Sequence, residues 1–261
     1  MFFVDSHTHL YLEQFDNDRI QVVERAIAEG VEMMLLPNID KGSVDNMMAL
    51  CSEFPDNCFP MMGLHPTSVG DNYEEELATV EDQLEKHPYI AVGEIGIDLY
   101  WDKTFKAQQE DAFRRQLKLA KKLSMPVSIH TRDSFDEVYN IVKDEHTGSL
   151  KGVFHCFTGT NEQAEKIMEM GFFMGIGGVL TFKNSGLDQV VKDIPPDFLL
   201  LETDSPFLTP APYRGKRNES AYVRLIASKL AEIKNIAIEE IAGKTSANAM
   251  KLFNINRKQQ H

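Results

Sequence analysis

Eight short runs of aliphatic, aromatic and β-branched residues recur along the chain, and their spacing constrains its fold more than any other feature. They occupy residues 2–5, 33–37, 58–64, 90–94, 126–130, 152–155, 172–176 and 198–202. Their ends fall about 28 residues apart, room for one strand, one helix and two turns. Runs that stay apolar instead of alternating with polar residues belong to strands buried on both faces, as in parallel sheets. Helical periodicity fills the gaps. Phe113, Leu117, Ala120 and Leu123 form an apolar stripe amid Lys, Arg and Gln. Ser134 with Glu137, and Thr160 with Gln163, match the capping box that opens a helix. Eight strand–helix units in 261 residues suit a closed α/β barrel of the TIM type, (β/α)8 with parallel strands, better than an open sheet. Residues 236–253 read as a pair of extra C-terminal helices that close the domain. No Gly/Ser-rich linker or shift in composition divides the chain. Residues 1–261 are therefore expected to form one domain, with a mobile tail at 254–261.

Composition narrows the class. With 43% hydrophobic and 26% charged residues the chain is not of the disordered type. No apolar run approaches the roughly 20 residues of a membrane helix. The formal charge of −13 argues against a protein that coats duplex nucleic acid by bulk charge. The opening MFFVDSHTHL has no basic leader, and Cys51, Cys58 and Cys156 are odd in number without metal-type spacing. The expectation is a cytoplasmic protein with free thiols, without a membrane or an obligate protein partner. Cys156 neighbours His155, and adjacent strand residues point to opposite faces, so Cys156 reads as a buried structural thiol.

The anomalous residues are polar ones at the C-terminal ends of the apolar runs. His7 and His9 follow the first, Glu94 ends the fourth, His130 the fifth and His155 the sixth, and Asp204 follows the eighth. In a barrel these ends ring one mouth, where barrel active sites are built. His7 and His9 stand two residues apart on an extended segment, so both rings can reach one ion. Four imidazoles and two carboxylates exceed the four ligands of a structural zinc site. The surplus points to two divalent ions (Zn, Mn or Mg) about 3.5–4 Å apart with a carboxylate between them, an arrangement that activates water and clamps a phosphoryl group. His65, in Gly63-Leu-His-Pro66, faces the same mouth and reads as a substrate contact, since the ligand set is already full. His87, His146 and His261 read as solvated. Arg132 can reach a phosphate or pair with Asp133. Lys183 and the Arg214-Gly-Lys216-Arg217 cluster lie in the loops that commonly hold phosphate in barrels. Tyr100 and Trp101, the chain's single Trp, can stack unpaired bases or form a hydrophobic lid.

The motifs Asp5-Ser-His-Thr-His9, Gly63-Leu-His-Pro66, Gly93-Glu-Ile-Gly-Ile-Asp98, His130-Thr-Arg-Asp133, His155-Cys-Phe-Thr-Gly159, Leu200-Leu-Glu-Thr-Asp-Ser-Pro206 and Arg214-Gly-Lys-Arg-Asn-Glu219 stand in the order of the TatD family. From residue 2 to Phe253 the chain resembles these metal-dependent deoxyribonucleases of the amidohydrolase-like barrels. The resemblance implies a TIM-type barrel, one or two metals held by His7, His9, Glu94, His130, His155 and Asp204, and hydrolysis of DNA, often 3′ to 5′ from single-stranded ends. Leu99, Phe207 and Ser220 depart from residues frequent in the family and bear on substrate preference. The resulting hypothesis has His7, His9 and Asp204 on one ion, His130 and His155 on the other, and Glu94 bridging. Glu94 and Asp204 are the catalytic carboxylates, with Asp204 taking the proton from the attacking water. An aminoacyl-ester hydrolase acting on D-aminoacyl-tRNA, or another small-molecule amidohydrolase, is the alternative. The usual two-metal amidohydrolase bridges through a carbamylated lysine, and here the fourth run ends in Glu94 with Lys103 well beyond it.

Overall fold

The computed structural model describes residues 1–256; residues 257–261, including His261 and most of the expected mobile tail, lie outside the described residues. Strands and helices alternate as β1 (Phe3–Asp5), α1 (Arg19–Ala28), β2 (Val31–Pro37), α2 (Val44–Glu53), β3 (Cys58–Met61), α3 (Tyr73–Lys86), β4 (Val92–Asp98), α4 (Lys106–Leu123), β5 (Val127–Arg132) and α5 (Phe135–Glu145). The series continues with β6 (Gly152–Phe154), α6 (Asn161–Glu169), β7 (Phe173–Ile176), α7 (Leu187–Asp193), β8 (Leu199–Leu201), α8 (Val223–Lys234) and α9 (Ile238–Phe253). All strand pairs are parallel and follow chain order, β1-β2-β3 in one ladder and β4 to β8 in another. Backbone bonds join the two ladders at both seams: Met62 N donates to Ala91 O and Gly93 N to Met62 O between β3 and β4, and Ser6 N donates to Leu201 O and Asp204 N to His7 O between β1 and β8. The fold is the TIM-type barrel, and in a ring of eight β4 stands opposite β8.

Two expectations change in detail. Glu94 does not end β4. The strand runs on to Asp98 because Gly96, at φ +148°, lets the His130 backbone approach where any side chain would collide with its carbonyl. The segment 236–253 is one helix, α9, and its expected partner is α8, which belongs to the eighth strand–helix unit. The α4 stripe packs as read: Phe113, Leu117 and Ala120 are fully buried, and Leu123 sits against the core.

The capping signals divide. Thr160 Oγ1 accepts from Gln163 N and Gln163 Oε1 accepts from Thr160 N, a complete box. Ser134 precedes α5, but its hydroxyl donates to Ile97 O at 2.6 Å while Glu137 pairs with Lys106. That bond ties the start of α5 to the end of β4, at the mouth.

Apolar side chains form two bodies. The larger lies between strands and helices. The smaller contains Val4, Met33, Leu35, Met61, Val153 and Leu200 from the strands together with Ala249, Leu252, Phe253 and Ile255. Ser246 Oγ donates to Phe2 O, and Asn248 Nδ2 donates to Pro196 O and Leu199 O, so α9 lies across the N-terminal ends of β1 and β8. Its last turn floors the barrel at the end away from the mouth.

Candidate metal centre

Backbone bonds from Ser6 N to Leu201 O and from Thr8 N to Leu35 O carry the extended course of β1 beyond its ladder. His7 and His9 thus enter the mouth from one short segment. The Asp5 carboxylate fastens this segment to the β8 side by accepting from Thr203 N at 2.9 Å and Thr203 Oγ1 at 2.6 Å, and burial pushes its carboxyl up to about 7.

Glu94 is the hub. His7 Nε2 lies 2.9 Å and His9 Nε2 3.5 Å from its Oε2. His130 Nδ1 and His155 Nε2 each lie 2.7 Å from Oε1, and His65 Nε2 lies 3.2 Å from it. Asp204 completes the ring with Oδ1 3.6 Å from His9 Nε2 and 3.9 Å from His7 Nε2. All six expected ligands are therefore brought together, with His7, His9 and Asp204 around one oxygen of Glu94 and His130 and His155 on the other. Among the described residues, the close-set groups that could hold an ion are His7, His155 and Asp204; His7, His9 and Glu94; and His65, Glu94 and His130. His65, expected to touch substrate, stands among the candidate ligands. His155 touches both sides, its ring stacked on that of His7 at 3.8 Å and its Nε2 3.3 Å from His130 Nδ1.

The rear nitrogens of four rings have hydrogen-bond partners, and that of the fifth, His155, faces a carboxylate. His7 Nδ1 meets Ser128 Oγ, His9 Nδ1 meets the Tyr11 hydroxyl, and His65 Nδ1 meets Thr67 Oγ1. His130 Nε2 meets Asp98 Oδ2 at 3.0 Å, and His155 Nδ1 faces Glu202 Oε1 at 3.5 Å. Such partners fix ring orientation and tautomer, so the front nitrogens are aimed before any ion arrives. Sequence reading missed Asp98, Tyr11, Ser128 and Glu202. Only the lengthened β4 and the Gly175 position, where a side chain would strike the Glu202 carboxylate, hint at them.

The electrostatics suit a cation. Burial works against a charged Glu94, yet His155, His65 and His7 outweigh it and hold the carboxyl well below its usual range. Burial and the neighbouring His155 lower His7. Burial opposes charge on His9 too, but its bonds to Asp204 and Glu94 prevail and raise it to about 9. Two carboxylates thus draw protons onto some rings and not others. Divalent ions would supply the same positive charge and displace those protons, and an imidazole–carboxylate set fits Zn or Mn well.

The family model for TatD related DNase matches residues 4–254. The chain belongs to the TatD family. It is 44% identical over 253 residues to a Bacillus subtilis relative named uncharacterized metal-dependent hydrolase YabD, covering 97% of this chain and 99% of that one. It is 34% identical over 257 residues to the 3′-5′ ssDNA/RNA exonuclease TatD of Erwinia tasmaniensis, covering 96% of this chain and 99% of that one. The crystal structure of YjjV, a TatD homologue from Escherichia coli K12, superposes with a TM-score of 0.92 at 30% identity, covering 97% of this chain and 98% of the other. The protein is a metal-dependent hydrolase.

The other expected contacts of this TatD-family chain scatter. A cavity of about 560 Å³ opens over the candidate ligands, and Arg132 alone among its Lys and Arg residues lines it, by the described residues. Its guanidinium lies 3.9 Å above the Tyr100 ring and does not pair with Asp133. Lys183 and Arg214 line an adjoining groove that shares Val179 with the cavity, and Arg214 stacks on Phe182. Lys216 lies over Tyr213. Arg217, expected to hold phosphate, is spent on structure: both terminal nitrogens grip Asp18, at 2.7 and 2.8 Å. Cys156 does not follow strand alternation because β6 ends at Phe154. Its φ is +48°, its N–H donates to Glu202 Oε1, and it lines the cavity, with burial holding the thiol protonated. His146 is half-buried against Phe172, whereas His87 is exposed. Among the described residues, no helix is long and apolar enough to cross a membrane.

Proposed function

We propose that this protein is a deoxyribonuclease that hydrolyses phosphodiester bonds from single-stranded 3′ ends. The observation that carries the reading is the convergence of five imidazoles and Asp204 on the buried Glu94 beneath an open cavity. Relatives named 3′-5′ ssDNA/RNA exonuclease support the substrate class. Two divalent ions held by these residues would supply an activated water and neutralise phosphate charge. Glu94, 2% exposed, keeps the rings facing one point. Asp204 is the more accessible carboxylate, at 14%, and would take the proton of the attacking water. Arg132 holds the phosphate from the rim. The charge of −13 leaves little affinity for duplex elsewhere on the surface, which favours chain ends drawn into a local site.

The test is digestion of end-labelled single-stranded DNA, duplex DNA and RNA with Mg, Mn or Zn, with Glu94→Ala as the control for contaminating nuclease. Stepwise shortening of single-stranded DNA from its 3′ end, abolished by chelation and absent in the variant, is expected. Failure to cleave any nucleic acid with any of the three ions, together with deacylation of D-aminoacyl-tRNA, overturns the reading in favour of ester hydrolysis.

A further inference from the structure

The mouth carries exposed aromatic side chains that the hydrolytic machinery does not use. Large hydrophobics exposed among the described residues include Tyr100, Trp101, Phe207, Leu208 and Tyr213, all in the loops after β4 and β8. Trp101 is 71% and Phe207 48% exposed, yet both line the cavity over the candidate ligands. Strands β4 and β8 stand opposite in the ring, so these two side chains reach the mouth from opposite sides.

Neither loop hangs free. Asp98 Oδ1 accepts from Tyr100 N at 2.9 Å and from Trp101 N at 3.4 Å, while Oδ2 of the same carboxylate meets His130 Nε2. Across the mouth, Phe207 N donates to Asp204 O at 2.8 Å and Asn218 Nδ2 donates to Phe207 O at 2.7 Å. The backbone of each aromatic is thus tied to a candidate ligand, Phe207 directly to Asp204 and Trp101 through Asp98 to His130. Arg132, whose guanidinium carbon lies 5.3 Å from the Trp101 ring, adds a cation beside the pair.

Two opposed aromatic surfaces, one flanking guanidinium and a floor of metal donors describe a site for a flat ring joined to a phosphate. Every nucleobase has such a face, and stacking on aromatics tolerates any base. A paired base lies between its neighbours in the duplex and offers no face to the protein. We propose that Trp101 and Phe207 form a base-stacking subsite, so that the nucleotide at the scissile bond must carry an unpaired base. This inference rests on the nuclease reading above.

Trp101 is the only tryptophan, so intrinsic fluorescence reports this subsite alone. Titrate the full-length protein, in chelator to prevent hydrolysis, with oligothymidylate and with a propanediol phosphodiester oligomer of equal length that keeps the phosphates and lacks bases. Quenching by the first and not the second is expected; equal quenching by both overturns the subsite. In steady-state digestion of single-stranded DNA, Trp101→Ala is expected to raise KM about tenfold and change kcat far less, with Trp101→Phe restoring most of the loss. A KM within twofold of wild type for Trp101→Ala removes the subsite and leaves the nuclease reading standing. Base-dependent quenching in a protein that hydrolyses no DNA does the reverse: the subsite stands and the nuclease reading falls.

Discussion

The two ends of the barrel bury opposite kinds of side chain. At the mouth, Asp5, His7, His9, Glu94, Asp98, His155 and Glu202 are all 5% exposed or less. At the floor, Val4, Met33, Leu35 and Leu200 meet Leu252, Phe253 and Ile255 with only apolar contacts. Burying charge destabilises unless every group finds a partner, whereas burying apolar surface stabilises at about 25 cal/mol per Å². The floor and walls therefore supply the stability, and the mouth uses part of it to hold charges ready for a reaction.

Substitutions at the two ends should separate these roles. Glu94→Ala is expected to lower hydrolysis by about three orders of magnitude or more and to deplete bound metal, while the barrel still folds. Turnover, metal analysis and calorimetry check it, and a fully active variant would break the contrast. Phe253→Ala should show the converse, losing about 3–5 kcal/mol of stability in denaturant titration while the folded fraction keeps its kcat. Tyr11→Phe sharpens the comparison, because it deletes only the hydroxyl behind His9. Metal affinity or turnover should fall about 10–100-fold, with a stability change near 1 kcal/mol.

The smallest effect belongs to the outer flank. The Arg217 bond, with help from Arg25, holds Asp18 below its ordinary carboxylate value. A depressed folded value means the pair stabilises above the unfolded pKa of about 3.9 and loses that stability as pH falls through the lower folded value. At a third exposed, the pair is worth under about 1 kcal/mol. Asp18→Asn should therefore narrow its stability gap to wild type between pH 7 and pH 3, and a gap independent of pH would remove the ion pair from the account.

What could be read in advance follows from the same contrast. A histidine or carboxylate ending an apolar run is anomalous, so His7, His9, Glu94, His130, His155 and Asp204 stood out, and the spacing of the runs carried the barrel with them. The partners behind the rings did not. Ser128 lies within a run, Tyr11 looks like core, and Asp98 was placed beyond its strand because the continuation of β4 depends on Gly96 meeting His130, a contact 34 residues away in sequence. Arg217 looked like its basic neighbours, and only folding brings Asp18 to it across 199 positions. His65 was read as a substrate contact on ligand counting, and only folding brings its ring within 3.2 Å of the Glu94 carboxylate.

The position of α9 has a consequence for biosynthesis. A ribosome delivers β1 first, and Leu252, Phe253 and Ile255 emerge only after all eight strands. Until then the nascent ring has no floor, and the inner faces of Val4, Met33 and Leu200 remain open to water and to other chains. Completion of the barrel is thus a late docking event, and damage to α9 should show first as lost yield of folded protein in cells, before any loss of catalytic competence.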